Sequence, residues 1–244
     1  MVSTDMTGDA IVRNATGLDA VDGVEAGGTD NAAVETDDVE FDLDAPTEHQ
    51  LAGGAGRGLS LLLTIGGAIG FVAAFVLILE RIELFKDPDY VPSCSFNPVL
   101  SCGSVMETWQ AQAFGFSNPL IGVASFAAVT SVGVVLLTGA ALPRWFWLGL
   151  QAGATFGAGF VTWLAYQSIY NIEALCPYCM VVWVVMIPMF VYLTAHNVQA
   201  GHIPAPVGVR NALVRNRAII VLVWFAVITA AILIQFWDYW SSLI

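Results

Sequence analysis

The sequence predicts an all-α integral membrane protein, and its composition, apolar stretches and terminal aromatic residues support this. Of the 244 residues, 57% are hydrophobic and only 11% are charged, and the mean hydropathy is +0.72. A soluble domain of this length would carry about twice that share of charge. Five stretches rich in Leu, Val, Ile, Ala and Gly hold most of the apolar residues. These stretches make a lipid bilayer the expected surroundings. The net charge of −12 gives no basic surface for a nucleic acid, so we expect no nucleic-acid partner.

The five apolar stretches are each close to the ~20 residues that cross a bilayer core. Aromatic residues collect at several of their ends, for example at Trp145 and Trp237, as is typical of membrane interfaces. The predicted transmembrane helices cover about 59–79, 119–141, 145–166, 177–195 and 218–237.

An acidic segment precedes the first span. Residues 1–50 contain 13 of the 20 acidic residues and the single base Arg13. Such a segment cannot bury enough apolar surface to offset the entropy lost on ordering, so we expect residues 1–56 to be a disordered tail. The membrane domain is then 57–244.

The distribution of Lys and Arg predicts the orientation in the cell membrane. With the N-terminus in the cytoplasm, five arginines flank the spans inside, against two basic residues outside. Cytoplasmic loops carry the excess of Lys and Arg, so we predict a cytoplasmic N-terminus and an extracytoplasmic C-terminus. Both cysteine pairs then face outward. The inner residues are Arg57, Arg144, Arg210, Arg215 and Arg217, and the outer residues are Arg81 and Lys86.

The four cysteines form two groups on this outer side. Cys94 and Cys102 share one loop, and Cys176-Pro-Tyr-Cys179 opens the fourth span. A Cys-x-x-Cys pair at a helix N-terminus is a redox dithiol, because the helix dipole and free N–H groups stabilise the first thiolate. Cys179 lies one turn deeper, beside the apolar bundle. We predict that Cys176 exchanges with an outer dithiol and that Cys179 reacts with a quinone.

The loop between the first two spans has an apolar pattern of its own. The spacing of Val99, Val105 and Trp109 predicts a short amphipathic helix over Pro98–Gln112, lying in the membrane interface. This helix would hold Cys102 near the mouth of the bundle, with Cys94 on a more mobile stretch.

Two other interpretations of the cysteines stay open at this point. Both pairs could be structural disulfides of a non-enzymatic membrane scaffold, since an exported location is oxidising. The cysteines could also bind zinc, but Cys-x7-Cys is a poor spacing for a zinc site, and we predict no metal.

The order and spacing of these motifs resemble the vitamin K epoxide reductase (VKOR) family, in particular its bacterial, actinobacterial-type members. The resemblance covers roughly residues 59–240 and implies a four-helix bundle around a quinone, with a fifth transmembrane helix outside it. The matching pieces are Cys94-x7-Cys102 with Asn97-Pro98-Val99 inside it, Phe114-Gly-Phe-Ser-Asn118-Pro119, and Cys176-Pro-Tyr-Cys179 at a helix start.

The resemblance also implies a role for each cysteine. Cys94 would meet the external thiol protein, and Cys102 would exchange with Cys176. Cys179 would attack the quinone or form a charge-transfer complex with it.

Three further residues are expected to contact the quinone. Asn118 matches the family position that hydrogen-bonds a quinone carbonyl, and a helix N-cap is the alternative use of its side chain. Phe114 belongs to the same motif. Trp183 stands where vertebrate members carry Tyr, and an indole donates one hydrogen bond but accepts none. In an actinobacterial-type member the quinone would be menaquinone.

The resemblance thus implies a membrane thiol–quinone oxidoreductase that reoxidises an exported DsbA-like protein of the thioredoxin fold. Many bacterial members carry a fused thioredoxin-like domain after the last helix. This sequence ends at Ile244, so we expect the partner to be a separate protein. A vitamin K epoxide or quinone reductase that makes quinol is the alternative enzyme.

Overall fold

A computed structural model describes residues 46–87 and 89–241, and helices dominate this part of the chain. Residues 1–45 of the expected acidic tail lie outside the described residues. The helices are α1 (Glu48–Leu51), α2 (Arg57–Lys86), α3 (Cys102–Met106), a 3₁₀ turn (Trp109–Gln112), α4 (Pro119–Leu137), α5 (Arg144–Gln167), a π-helical turn (Ser168–Ile172), α6 (Pro177–Gln199), α7 (Val207–Gln235) and α8 (Trp237–Ser241).

The long helices pack side by side. Helix α2 packs against α4 and α6, and α6 also packs against α5 and α7. Helices α2 and α4 approach closely at two glycines. A Cβ on Gly67 would lie 2.5 Å from Thr130 Oγ1, and one on Gly133 would lie 2.5 Å from the backbone N of Thr64. Small residues allow this close packing of helix backbones in a membrane.

Four helices of the described part are long and apolar enough to cross a membrane, namely α2, α4, α6 and α7. Helix α5, the third predicted span, has 24 residues but includes several Trp, Gln and Gly residues, which lower its hydropathy. Its crossing of the membrane therefore stays a prediction. Among the buried residues, α7 contributes only Val214, so it lies at the outside of the helix packing.

The observed bounds differ from the predicted ones where charged residues continue a helix. Helix α2 runs to Lys86 instead of ending near residue 79, because Glu80 and Arg81 are buried helical residues. Helix α7 starts at Val207 instead of about 218, and it includes Arg210, Arg215 and Arg217. The single amphipathic helix expected over Pro98–Gln112 is instead two short pieces, α3 and the 3₁₀ turn.

One end of the bundle, here called the tail end, consists of residues 46–56, 138–147 and 196–206. Trp147 is fully buried there, and its Nε1 donates a 3.0 Å hydrogen bond to the carbonyl oxygen of Gly53. The same oxygen accepts from the Leu142 backbone N at 2.9 Å. Residues 46–56 were expected to belong to the disordered tail, but these bonds anchor them to the bundle.

Candidate functional site

The four cysteines meet at the opposite end of the bundle, here called the cysteine end, which consists of residues 80–118 and 168–179. Cys94 and Cys102 form a disulfide, and Cys176 and Cys179 are free thiols. The Sγ atoms of Cys102 and Cys176 are 3.1 Å apart. The two pairs predicted from sequence are therefore adjacent, and Cys102 and Cys176 are the contact between them.

A short backbone pairing creates that contact. Leu100 and Leu175 form an isolated parallel bridge. The backbone N of Leu175 donates to Val99 O at 2.7 Å, and the N of Ser101 donates to Leu175 O at 3.0 Å. Asn97 supports the loop, because its Oδ1 accepts from the backbone N of Leu100 at 2.7 Å. Leu175 directly precedes Cys176, and Leu100 lies two residues before Cys102, so the bridge brings the two pairs together.

The chain reaches Cys176 through an irregular segment. The π-helical turn after α5 ends at Glu173, which is the one non-glycine residue with positive φ (55°) in the described ranges. π-Helical turns and left-handed residues cost free energy and often occur near functional sites. Here the left-handed residue Glu173 changes the direction of the chain, so that Leu175 can pair with Leu100 of the outer loop before α6 begins.

Cys176 is the N-cap of α6, with Pro177 at the first helical position. A hydrogen bond from the Cys179 thiol lowers the pKa of the Cys176 thiol, and the backbone N–H groups of Cys179 and Tyr178 act in the same direction against the opposing effect of burial. The thiolate is the nucleophile in thiol–disulfide exchange. A thiol with a lowered pKa is also the better leaving group, so Cys176 is suited to be released from a mixed disulfide with Cys102.

A cavity of ≈ 380 Å³ opens beside the thiols. Its walls come from α2, α4, α5 and α6 and are mostly aliphatic or aromatic. Cys176 and Cys179 lie in its lining, and Arg81 is the one charged residue among the lining residues of the described chain. The volume and the mostly apolar lining suit an apolar ligand with few polar groups.

Asn118 lines this cavity but does not cap α4 with its side chain. Its Nδ2 donates to Gln110 O at 2.7 Å, and its Oδ1 accepts from Ala113 N at 3.2 Å. These bonds tie the 3₁₀ turn to the start of α4. An amide NH₂ has two donor hydrogens, so one remains for a carbonyl in the cavity.

The two expected aromatic contacts differ in their placement. Trp183 is 5% exposed and belongs to the cavity lining. Phe114 is 45% exposed and is not a lining residue. Its ring lies 5.2 Å from Phe160 and 6.1 Å from Phe156, and both of these line the cavity. Phe114 therefore supports the wall from outside.

Sequence reasoning missed a buried carboxylate that holds the Cys94 loop. Glu80 accepts from the Tyr90 hydroxyl at 2.9 Å and from the Ser93 backbone N at 3.2 Å. The Ser93 hydroxyl also donates to it. The bond to Glu80 is the main reason why the pKa of Tyr90 is raised. We call Glu80, Tyr90 and Ser93 the Glu80 clasp.

The clasp bears on the access to Cys94. The sequence predicted a mobile stretch here, but Cys94 is only 3% exposed, and Cys102 is fully buried. A partner thiol can reach the Cys94 sulfur only if the loop that follows Ser93 opens. An isolated acidic residue at the end of an apolar run gives no local signal of this role.

The same sulfur atoms bear on the zinc interpretation. The Sγ atoms of Cys94, Cys102 and Cys176 lie within 4.8 Å of one another. Zinc binds thiolates, and the Cys94–Cys102 disulfide leaves neither of its sulfurs in that form.

A disulfide in contact with a free thiol, beside an apolar cavity at one end of a helix bundle, is an arrangement suited to redox chemistry of thiols. The model of the Vitamin K epoxide reductase family matches residues 61–194, which is more than half of the chain. The chain belongs to this family, and it is therefore a membrane oxidoreductase. No curated protein matches the chain.

Proposed function

We propose that the protein is a membrane thiol–quinone oxidoreductase that reoxidises an exported DsbA-like protein of the thioredoxin fold. Two contacts support this proposal: Cys102 Sγ lies 3.1 Å from Cys176 Sγ, and Cys179 lines an apolar cavity. The first contact connects the outer disulfide to the inner thiols. The second places the inner thiols beside a space for a lipid-soluble acceptor.

Electrons enter at the outer pair. One partner thiolate attacks the Cys94 sulfur, and Cys102 leaves as a thiolate. The second partner thiolate then attacks the partner sulfur of this mixed disulfide, which closes the partner's own disulfide and releases Cys94. The partner has lost two electrons, and Cys94 and Cys102 have gained them.

The electrons then pass inward. The Cys102 thiolate attacks Cys176 of an oxidised Cys176–Cys179 disulfide, and Cys179 leaves as a thiolate. Cys94 next attacks Cys102, so that the outer disulfide forms again and Cys176 is released. The described state, with Cys94 bonded to Cys102 and two free inner thiols, is the product of this transfer.

The cavity residues have separate tasks toward the acceptor. Cys179 presents its sulfur at the wall, Asn118 offers an amide hydrogen, and Trp183 closes one side. A bound quinone would supply an acceptor for two electrons and two protons. We propose menaquinone as this quinone, following the resemblance to actinobacterial-type members.

The orientation follows from where the basic residues lie. Arg57 and Arg144 lie next to or within the tail end, and Arg81 and Lys86 lie at the cysteine end. Under the positive-inside rule, the tail end faces the cytoplasm and the cysteine end faces outward. In this proposal both cysteine pairs meet the exported partner on the outer side of the cell membrane, and the C-terminus also lies outside.

The test is anaerobic quinol formation by the purified full-length protein, with a menaquinone analogue and either a reduced DsbA-like protein or dithiothreitol. We expect both donors to support quinol formation, and Cys179→Ala to abolish it. Cys94→Ala should stop the protein donor and spare dithiothreitol.

The same assay separates the alternatives. Quinol formation from dithiothreitol alone would indicate a quinone reductase without this partner. The absence of quinol from folded protein with both donors would contradict the proposal and favour structural disulfides.

A further inference from the structure

Two apolar side chains are exposed on either side of Cys94 at the cysteine end. Val91 is 70% exposed and Phe96 is 72% exposed, and they lie three residues before and two residues after Cys94. We call these two side chains the Cys94 flanks. Single exposed apolar residues are common on protein surfaces, but this pair brackets the outer disulfide and therefore has a special position.

A tight turn keeps both flanks close to Cys94. The Ser95 backbone N donates to Pro92 O at 2.9 Å, which places Cys94 inside a four-residue β-turn. Phe96 is held directly after the turn, because its own backbone N donates to Leu100 O at 2.9 Å. Consecutive Cα atoms are about 3.8 Å apart, so the flanks are at most two or three such steps from Cys94.

The surroundings of the flanks are too polar for the hydrocarbon of a bilayer. The chain just before Val91 carries the exposed charged residues Lys86, Asp87 and Asp89. Charged groups are costly to place in hydrocarbon. The flanks therefore lie beyond the apolar part of α2, where water or another protein covers them.

The chemistry at Cys94 determines which molecule must cover the flanks. In the proposed function a partner thiolate attacks the Cys94 sulfur, and the resulting mixed disulfide joins the two sulfur atoms at about 2.0 Å. A protein held at that distance has to contact the chain on both sides of Cys94. Cys94 itself is only 3% exposed and offers little contact area, so the neighbouring side chains must supply the affinity.

We propose that Val91 and Phe96 are the docking site for the exported thiol protein, and that they fit an apolar depression beside its reactive cysteine. Aromatic side chains are frequent anchors of protein interfaces, because one ring buries a large area and has few rotatable bonds. The inference rests on the proposed function, and it adds a surface that favours the protein donor over a small dithiol.

The test is the rate at which a reduced DsbA-like protein reduces the Cys94–Cys102 disulfide of the full-length protein in the absence of quinone, followed by stopped-flow mixing. Phe96→Ser should lower the second-order rate constant by about tenfold and Val91→Ser by about threefold, because each removes apolar area that the partner buries. Reduction by dithiothreitol should remain at the wild-type rate, since a small dithiol has no surface to dock. Both side chains are exposed, so the melting temperature should not change.

Phe85→Ser is the matched control, because Phe85 is a 73% exposed ring at the same end but lies on α2, outside the turn. Its rate constant should equal that of the wild type. Equal losses in Phe85→Ser and Phe96→Ser would show a general response to apolar surface and would overturn the proposal. Unchanged rates in both flank variants, or a parallel loss with dithiothreitol, would also overturn it.

This proposal and the proposed function can fail separately. Quinol formation from the protein donor, with wild-type reduction rates in both flank variants, contradicts only the docking site. Slower reduction of Phe96→Ser by the protein donor, without quinol formation by the wild type, contradicts only the transfer of electrons to quinone.

Discussion

The cysteine end and the tail end both bury polar side chains, but they use them differently. At the cysteine end, Glu80 is satisfied by Tyr90 and Ser93, and Arg81 faces the cavity. At the tail end, buried Trp147 contacts the rings of His196 and His202, with centroids 4.3 Å and 5.8 Å away. The cysteine end combines a carboxylate and a guanidinium with thiols, whereas the tail end combines aromatic and imidazole rings with backbone hydrogen bonds.

We infer from this difference that the cysteine end carries the reactive groups and that the tail end anchors residues 46–56. At the cysteine end, the Cys179 thiol lowers the pKa of the Cys176 thiol, and the Glu80 clasp holds the chain just before Cys94. Groups at the tail end fasten residues 46–56 to the bundle, as in the bond from Gln50 Nε2 to Gln199 Oε1 at 3.3 Å. Substitutions at the cysteine end should therefore change turnover, and substitutions at the tail end should change stability.

The largest effect is expected for Cys176→Ser. This change removes the sulfur that contacts Cys102 and leaves a side chain of similar shape. We expect turnover with the protein donor to fall by about a thousandfold or more, while the melting temperature changes by only a few degrees. The measurements are quinol formation and thermal unfolding in detergent. Substantial remaining turnover would remove Cys176 from the electron path.

The second effect tests the tail end. Trp147→Ala deletes a fully buried ring and its bond to Gly53. We expect a loss of about 3–5 kcal/mol in stability, with normal turnover for each folded molecule. Trp147→Phe should lose less, because an aromatic ring remains. A specific loss of turnover in folded Trp147→Phe would contradict the separation of the two ends.

The third effect concerns the Glu80 clasp. Glu80→Gln keeps the shape but weakens hydrogen bonds to a charged acceptor by about 1–2 kcal/mol in total. The Cys94 loop should then open more often, and reduction of the Cys94–Cys102 disulfide by a protein thiol should be about tenfold faster. Stopped-flow reduction measures this rate. Asp87→Asn, outside the clasp, is the control, and equal rates in Glu80→Gln and the wild type would show that the clasp does not limit access.

The smallest effect is a pH dependence at the tail end. Burial, assisted by the charge of Arg144, lowers the pKa of His202. An unfolded histidine titrates at about pH 6.5, so below that pH the unfolded state binds more protons than the folded state. Stability is therefore fully present above about pH 6.5 and decreases as the pH falls. Between pH 7.5 and pH 5.5 the melting temperature should fall by a few degrees, and the fall should be smaller in His202→Gln. An equal fall in both proteins would show that His202 is not its cause.

The sequence was sufficient for the elements that rest on local patterns. Long apolar runs predicted α2, α4, α6 and α7, and the Cys-x-x-Cys motif with Pro177 predicted the start of α6. Local patterns did not predict the helix bounds, because charged residues such as Glu80 and Arg81 look like the end of a span. They are in fact buried in the last turns of α2.

The contacts within the site could not be predicted in the same way. The adjacency of Cys102 and Cys176 depends on the pairing of Leu100 with Leu175, and these residues are far apart in the chain. The family resemblance implied the contact between the cysteines but not its cause. Similarly, the bonds from Asn118 to Gln110 and Ala113 depend on how the loop folds back, which no periodicity indicates.

The most direct test of the account is whether Cys102 and Cys176 form a disulfide when they are the two remaining cysteines. In Cys94→Ala/Cys179→Ala, mild oxidation should link them, and mass spectrometry of the joined peptides should detect the link. In Cys94→Ala/Cys176→Ala, which retains Cys102 and Cys179, the link should form far more slowly. Free thiols in the first protein, or equal linking in both, would contradict the electron path from the outer pair to the inner pair.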